Sequence, residues 1–262
     1  MMQPPTDVSR TDSSVAWIVL VTRHYHWLVK PYIELWDRHV GLPLVFFSDR
    51  LMPDLPPHHK CMVAFPENRN IYLEPCGSEF KQALERVDAP LVTMLLPDIM
   101  PQGFIDHTRL NSLIRFMGSG EKVARGNLYD GGHDGIVNGI AQEDPSAVLH
   151  DENGMKIIRI SPTNQHIGQL GSTSGMPALW SRKFLLEFVE DGWALDALEL
   201  PGQHKFAKQG EWFSVCTTPS LLEVCHLCYT RDKRAVELTS VKDEKDRELI
   251  SKYIPSGFRV VP

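Results

Sequence analysis

The apolar positions of the chain follow two periodicities. Residues 15–21, VAWIVLV, are continuously apolar and rich in β-branched side chains, the pattern of a strand buried on both faces. In the next segment, HWLVKPYIELWDRHVG, the residues Leu28, Tyr32, Leu35, Trp36 and Val40 recur at near-helical spacing. Pro31 fits the first turn of that helix and Gly41 ends it. LPLVFF (42–47) reads as a second buried strand that closes in Ser48 and Asp49. After a loop dense in proline and histidine, CMVAF (61–65) and NIYLE (70–74) are both strand candidates. GSEFKQALERVDAP predicts a helix with Ser78 as its cap and Phe80, Leu84 and Val87 inward.

Residues 91–101, LVTMLLPDIMP, form an apolar strand up to Leu96 that stops at Pro97 and delivers one acid, Asp98, to its end. The alternation of strand and helix to this point predicts an open parallel sheet with right-handed crossovers. FIDHTRLNSLIRFMGSG then places Leu110, Leu113, Ile114 and Met117 on one side of a helix with a Gly-Ser-Gly stop. Residues 126–156, rich in Gly, Asp and Asn, read as a long surface loop. MKIIRIS (155–161) is a strand, SRKFLLEFVEDG a helix, PSLLEVCHLCYT strand-like, and SVKDEKDRELISKYI a charged amphipathic helix. Without a repeat or a clear linker, the expectation is a short disordered leader over 1–14 and one domain over 15–262.

Composition narrows the classes. A chain of 262 residues with 42% hydrophobic and 23% charged residues can bury a substantial core. The formal net charge of −6 argues against wholesale binding of a phosphate backbone, so duplex DNA is not an expected partner. No apolar stretch approaches the ~20 residues of a membrane helix. The first residues, MMQPPTDVSRTDSS, have neither a basic n-region nor an apolar h-region. Five cysteines, an odd number, suit a reducing compartment, and the expected location is the cytoplasm.

In open α/β sheets, ligands bind outside the carboxyl ends of the strands. There the first strand ends in Thr22-Arg23-His24-Tyr25, the second in Ser48-Asp49 and the fourth in Pro97-Asp98. The turn TRHYHW has no glycine to cradle a pyrophosphate, and the chain contains no P-loop motif. A bound nucleotide would then have its phosphates neutralised through an acid and a divalent ion. Each residue also has a plainer reading. Asp98 fits as a cap for the following helix, with Pro101 in its first turn, and Asp49 as a turn former. Tyr25 and Trp27 fit as packing, and Trp180 and Trp193 either as core aromatics or as the floor of a sugar subsite. A single Cys225-x-x-Cys228 falls short of the four ligands zinc takes, and Asp130-Gly-Gly-His133-Asp134 reads as a turn.

The order of these segments is similar to that of the GT-A fold glycosyltransferases, the nucleotide-diphospho-sugar transferase superfamily, of bacterial and viral type. The likeness runs from VAWIVLVTRHYHWLVKPYIELWDRHVGLPLVFFSD through FKQALERVDAP and LVTMLLPDIMPQGFIDHTRLNSLIRFM to STSGMPALWSRKFLLEFVEDGWALDALELPG. It implies an α/β, Rossmann-like domain with an open, mostly parallel sheet flanked by helices. Residues 15–100 would form its nucleotide-sugar half and 101–262 its acceptor half. The implied activity is transfer of a sugar, with inversion, from a nucleotide-diphospho-sugar such as a UDP-sugar. The acceptor would be a glycan, a lipid-linked sugar, a protein or a modified nucleobase. Thr22, Arg23, Tyr25, Asp49 and Asp98 match the nucleotide side, and Asp98 matches the metal-binding acid of a DxD-like motif. Pro97 stands where that motif carries its second acid, so the motif is degenerate. The implied cofactor is Mn2+ or Mg2+, with His204 as a further metal ligand, and Asp196 and Glu199 compete for the catalytic base. The same features leave two other readings open: a non-catalytic sugar- or nucleotide-binding module of this fold, and a nucleotidyltransferase.

Overall fold

The computed structural model describes residues 14–22, 25–129, 134–160, 177–198, 200–230 and 235–261. Its centre is a nine-stranded sheet in the order β3-β2-β1-β4-β9-β6-β10-β8-β7. The strands are β1 (Val15–Val21), β2 (Leu44–Ser48), β3 (Lys60–Val63), β4 (Leu91–Thr93), β6 (Val123–Asn127), β7 (Val148–Glu152), β8 (Met155–Ile160), β9 (Ala178–Ser181) and β10 (Phe213–Thr218). The first four pair in parallel. β9 runs against β4 and β6, β6 and β10 are parallel, and β8 runs against β10 and β7. Only β8 and β9 therefore oppose the common direction, and the sheet is mixed but mostly parallel.

Why β1 is apolar at every position follows from its two faces. Trp17, Val19 and Val21 enter one core cluster, while Ile18 and Leu20 enter the other. The first cluster is closed by the helices α1 (Val29–His39) and α3 (His107–Gly118), and the second by α2 (Gly77–Glu85). Past α4 (Asp134–Glu143), the helices α5 (Arg182–Phe188) and α6 (Leu200–Gln209) add Phe184, Phe188 and Phe206 to the second face, and α7 (Glu244–Ser251) adds Leu249 and Ile250 to the first. Helices thus cover both faces of one sheet. Among the described residues, no helix is long and apolar enough to cross a membrane.

The predicted boundaries hold where cap chemistry is local. Gly41 takes φ +71° and its N–H, with that of Val40, bonds to Trp36 O, ending α1 as expected. Ser181 caps α5 and Asp243 caps α7. Ser78 is not a cap: α2 starts one residue earlier, at Gly77 after Cys76, and the Ser78 hydroxyl accepts from Gln82 instead. NIYLE is a turn, not a strand, because Leu73 N and Glu74 N bond back to Asn70 O. Residues 126–156 are not a long loop either. They hold the end of β6, α4 and β7, and Val137 and Ile140 pack into a third cluster with Ile158 and Ile160. The glycines of that stretch hid a helix that burial stabilises.

β4 departs furthest from its apolar pattern. Its ladder to β1 pairs Val15 with Leu91 and Ala16 with Val92, lapses, and resumes as a bridge between Val19 and Leu95. In the gap, the buried Thr93 hydroxyl accepts the Ile18 N–H at 2.7 Å. The chain then turns through Pro97-Asp98 into a short strand, β5 (Ile99–Pro101). Pro101 lies in that strand, and the cap of α3 is Asp106, whose carboxylate accepts from Arg109 N. Asp98 is therefore not a helix cap. β5 pairs antiparallel with β11 (Val224–His226), and β12 (Cys228–Thr230), β13 (Ala235–Glu237) and β14 (Arg259–Val261) form a small separate sheet.

Two predictions concern these buried polar groups. Thr93→Val keeps the shape but leaves the Ile18 N–H unpaired, at a cost of about 1–3 kcal/mol measurable by urea unfolding. His59 is enclosed, and its Nδ1 accepts the Leu44 N–H at 3.0 Å. Burial lowers its imidazole below the ordinary range, against the opposing pull of Asp37. A depressed folded-state pKa means the unfolded chain takes up the proton first, so this contribution is whole above about pH 6.5 and is lost as pH falls below it. His59→Asn keeps an acceptor for Leu44 and should flatten the fall in melting temperature between about pH 7 and pH 5; an unchanged fall would exonerate His59.

Candidate functional site

The chain leaves β1 through α1 on one face of the sheet and returns to β4 through α2 on the other. With strand order β3-β2-β1-β4, this is the switch point of an open α/β sheet, where diverging connections open a crevice at the carboxyl edge. Parallel pairing puts Thr22, Asp49 and Asp98 on that edge, and all three are buried. The sequence-based expectation of a shared polar edge is met for these residues. Arg23, His24 and Glu199 lie outside the described residues.

Their environments differ. Thr22 O accepts the Tyr25 N–H at 2.8 Å, closing the turn after β1. Asp49 is engaged at both oxygens: Oδ1 lies 2.7 Å from His26 Nε2, and Oδ2 accepts the Asn68 N–H at 3.3 Å. Asn68 sits at φ +63°, a conformation Asn tolerates, so Asp49 fastens a tight turn to the β1 loop. Asp49 thus ties two loops together at the carboxyl edge.

Asp98 is different. Its Oδ1 is buried and has no hydrogen-bond partner, while its Oδ2 faces His226 Nε2 at 3.6 Å. The pairing of β5 with β11 sets His226 opposite Ile99, and Asp98 O accepts the Leu227 N–H at 2.8 Å, so backbone bonds hold the two side chains together. The Asp98 carboxylate raises the His226 imidazole above its ordinary range, against the effect of burial. The charge of this acid adds to the shifts of two buried tyrosines, Tyr32 and Tyr72. Tyr25 stands edge-on to Tyr72 with ring centroids 5.7 Å apart. Burial pushes the Tyr32 phenol up, with Asp98 adding to it. Tyr72 rises well above the usual phenol range through burial first, then Tyr25 and Asp98. The Tyr32 and Tyr72 phenols stay protonated near neutral pH and can act as hydrogen-bond donors.

His226 is the residue that sequence reasoning missed. It stood inside Cys225-x-x-Cys228, which was set aside as short of the four ligands zinc takes; Cys225 is buried and its thiol is pushed up to about 12 by that burial. Nothing in the sequence signals that β11 lies beside β5. Tyr72 was hidden in the same way, by assigning NIYLE to a strand.

The remaining described candidates are at the surface. Asp196 is exposed on a 3-10 turn, Leu195–Leu198, and His204 is exposed on α6. The Asp196 turn is tied to the Tyr72 loop by Leu195 N bonding Ile71 O at 2.8 Å. Trp180 is core, stacked on Phe184 and with the Arg125 guanidinium over its ring, whereas Trp193 is half-buried against Phe188 and Lys205. Asp130 to His133 lie outside the described residues.

Among the described residues, one trio of metal-ligating groups lies within mutual reach: Asp37, His58 and His59. Its tautomer argues against a metal there. Because His59 Nδ1 accepts the Leu44 N–H, the proton of the neutral ring resides on Nε2, the nitrogen that faces Asp37 at 3.1 Å. A metal at Nε2 would need both nitrogens deprotonated or the backbone bond broken.

No family model matches the chain, and no curated protein matches it. Among solved structures, it is similar to glucosyl-3-phosphoglycerate synthase from Mycobacterium tuberculosis in complex with Mn2+, UDP and phosphoglyceric acid, at 15% identity and TM-score 0.42, covering 93% of this chain and 80% of that one. The same enzyme with Mn2+, UDP-glucose and phosphoglyceric acid gives 13% identity and TM-score 0.41, covering 93% and 81%. A mycobacterial protein gives 11% identity and TM-score 0.37, covering 78% and 65%. The functional reading therefore rests on the residues of the site.

Proposed function

We propose that the chain is a GT-A-type glycosyltransferase that moves a sugar from a nucleotide-diphospho-sugar, a UDP-sugar in the first instance, with inversion. The observation that carries this reading is Asp98, a buried carboxylate at the switch point with one oxygen unpartnered and the other facing an imidazole. A carboxylate oxygen suits Mn2+, and an imidazole nitrogen is a ligand for divalent first-row metals. In this reading Asp98 Oδ2 and His226 Nε2 hold the ion, and His226 takes the place that the absent acid at Pro97 would fill. When bound, the ion supplies positive charge for the pyrophosphate oxygens.

The chain's own residues do the rest. Thr22 and Tyr25, at the turn after β1, and the loops that Asp49 ties together bound the nucleoside. The acceptor oxygen forms a bond to the anomeric carbon as the bond to the phosphate oxygen breaks, and the electron pair leaves with the nucleoside diphosphate. The acceptor's proton goes to a carboxylate, for which Asp196 and Glu199 remain the two candidates. The exposure of Asp196 suits a group that meets an incoming acceptor. A glycan, lipid-linked sugar, protein or modified nucleobase all fit this chemistry. Pro97 favours a second reading, a binding module without turnover, which donor hydrolysis by the purified protein would exclude.

Calorimetric titration with UDP-, GDP- and dTDP-sugars, with and without Mn2+, tests the donor directly, and binding by none of them would end the proposal. Asp98→Asn should abolish turnover with the melting temperature nearly unchanged. His226→Ala should weaken Mn2+ binding by about 10–100-fold or more, the range seen when even an outer partner of a metal ligand is removed. Equal Mn2+ affinity would remove His226 from the site.

A further inference from the structure

The edge of the sheet opposite Asp98 holds a second cleft. At the amino ends of β1 and β4, beside the last residue of the antiparallel β9, a cavity of about 550 Å3 opens between α3 and α5. Small-molecule sites run from ~300 to ~1,000 Å3, so the space is large enough for a ligand. Its floor is apolar. Leu91 of β4 and Ile114 and Met117 of α3 are buried there, and Leu186 of α5 is half-buried beside them. The donor reading uses none of these residues, so the cleft stands or falls independently of it.

The rim decides the class of ligand. Several neutral polar groups of the wall are engaged within the protein: Ser14 O accepts the Leu91 N–H at 3.0 Å, Pro90 O the Arg182 N–H at 2.9 Å, and the Ser181 hydroxyl the Phe184 N–H at 3.3 Å. What remains is charge. Arg182 and Lys183 both line the cleft, and among the described residues neither is in ion-pair contact with an acid. Arg182 Nη1 donates to Leu84 O at 3.3 Å, which holds the guanidinium in place. Glu187, one turn further along α5, offsets one of the two cations and leaves one positive charge in excess. A sugar or nucleobase would set hydroxyls and amides on a floor that cannot pair them, which is costly. A plain hydrocarbon would leave the cations unanswered. We propose that this cleft binds a monoanionic amphiphile, an apolar chain or ring system ending in a carboxylate or sulfonate. Its body lies on Leu91, Ile114, Met117 and Leu186, and its head meets Arg182 and Lys183.

Gly118, the last residue of α3, lines the same cleft, and a Cβ built there meets nothing within 4 Å. Gly118→Phe therefore fills the cleft without a clash. Fluorescence titration with 8-anilinonaphthalene-1-sulfonate, followed by displacement with decanoate or 1-decanol below their aggregation concentrations, reads the site. The wild-type protein should bind the dye and release it to decanoate at lower concentration than to 1-decanol. Gly118→Phe should weaken the dye and both competitors by about tenfold or more. Lys183→Glu, an exposed change, should weaken decanoate by about fivefold or more and leave 1-decanol unaffected, and it decides the matter even if Gly118→Phe folds poorly. No dye binding by the wild-type protein, equal affinity for decanoate and 1-decanol, or wild-type affinities in folded Gly118→Phe or in Lys183→Glu would each overturn the proposal. Sedimentation of the free protein as a dimer that decanoate dissociates would make a second copy of the chain the occupant and would overturn it as well.

Discussion

The site depends on how β4 leaves the sheet beside β1. A strand in the middle of a parallel sheet cannot abandon its ladder without stranding backbone groups in an apolar interior, where each orphan is costly. The Thr93 hydroxyl resolves this by taking the Ile18 N–H in the gap, after which Leu95 re-engages β1 on both sides, through Ile18 O and Leu20 N. Only then does the chain turn at Pro97 and release Asp98 at the carboxyl edge. One β-branched polar residue within an apolar run thus lets a buried strand end in an acid at the carboxyl edge.

From that point the fold acts by bringing distant pieces of chain together. β5 continues from the turn, recruits β11, and so carries His226 from the other end of the sequence to Asp98. The loop after β3 folds back on Asn70 and brings Tyr72 against Tyr25. α7 is anchored separately, by the buried Asp246 carboxylate, which accepts from Arg38 and pairs with His39 on α1. The acids of the molecule therefore stand differently. Asp246 and Asp49 are consumed by structural partners, whereas one oxygen of Asp98 has no hydrogen-bond partner.

Legibility followed the range of the interactions. β1, β2, α1, α3, α5 and α7 were readable because period, caps and glycine stops act over a few residues, as with Gly41 and Ser181. Segments whose stability comes from burial were misread. α4 looked like loop because Gly135 and Gly139 depress its propensity, while Val137 and Ile140 are held by β8 and β10. NIYLE looked like strand because Ile71 and Tyr72 are β-formers, yet Asn70 closes a turn around them. Pro97 looked like a missing ligand, and the neighbouring strand supplies an imidazole beside that acid instead.

The sequence by itself determined that this is a strand-helix alternation with a parallel core and that Thr22, Asp49 and Asp98 end strands of it, since those facts need only local pattern and one rule of sheet topology. The tertiary structure decided which of these acids keeps an unpartnered oxygen, which histidine meets its other oxygen and where Tyr72 packs against Tyr25. Those outcomes depend on pairings between strands such as β5 and β11 and between loops far apart in the chain. Their cost and gain are set by desolvation and geometry in the folded state, which no stretch of sequence carries alone.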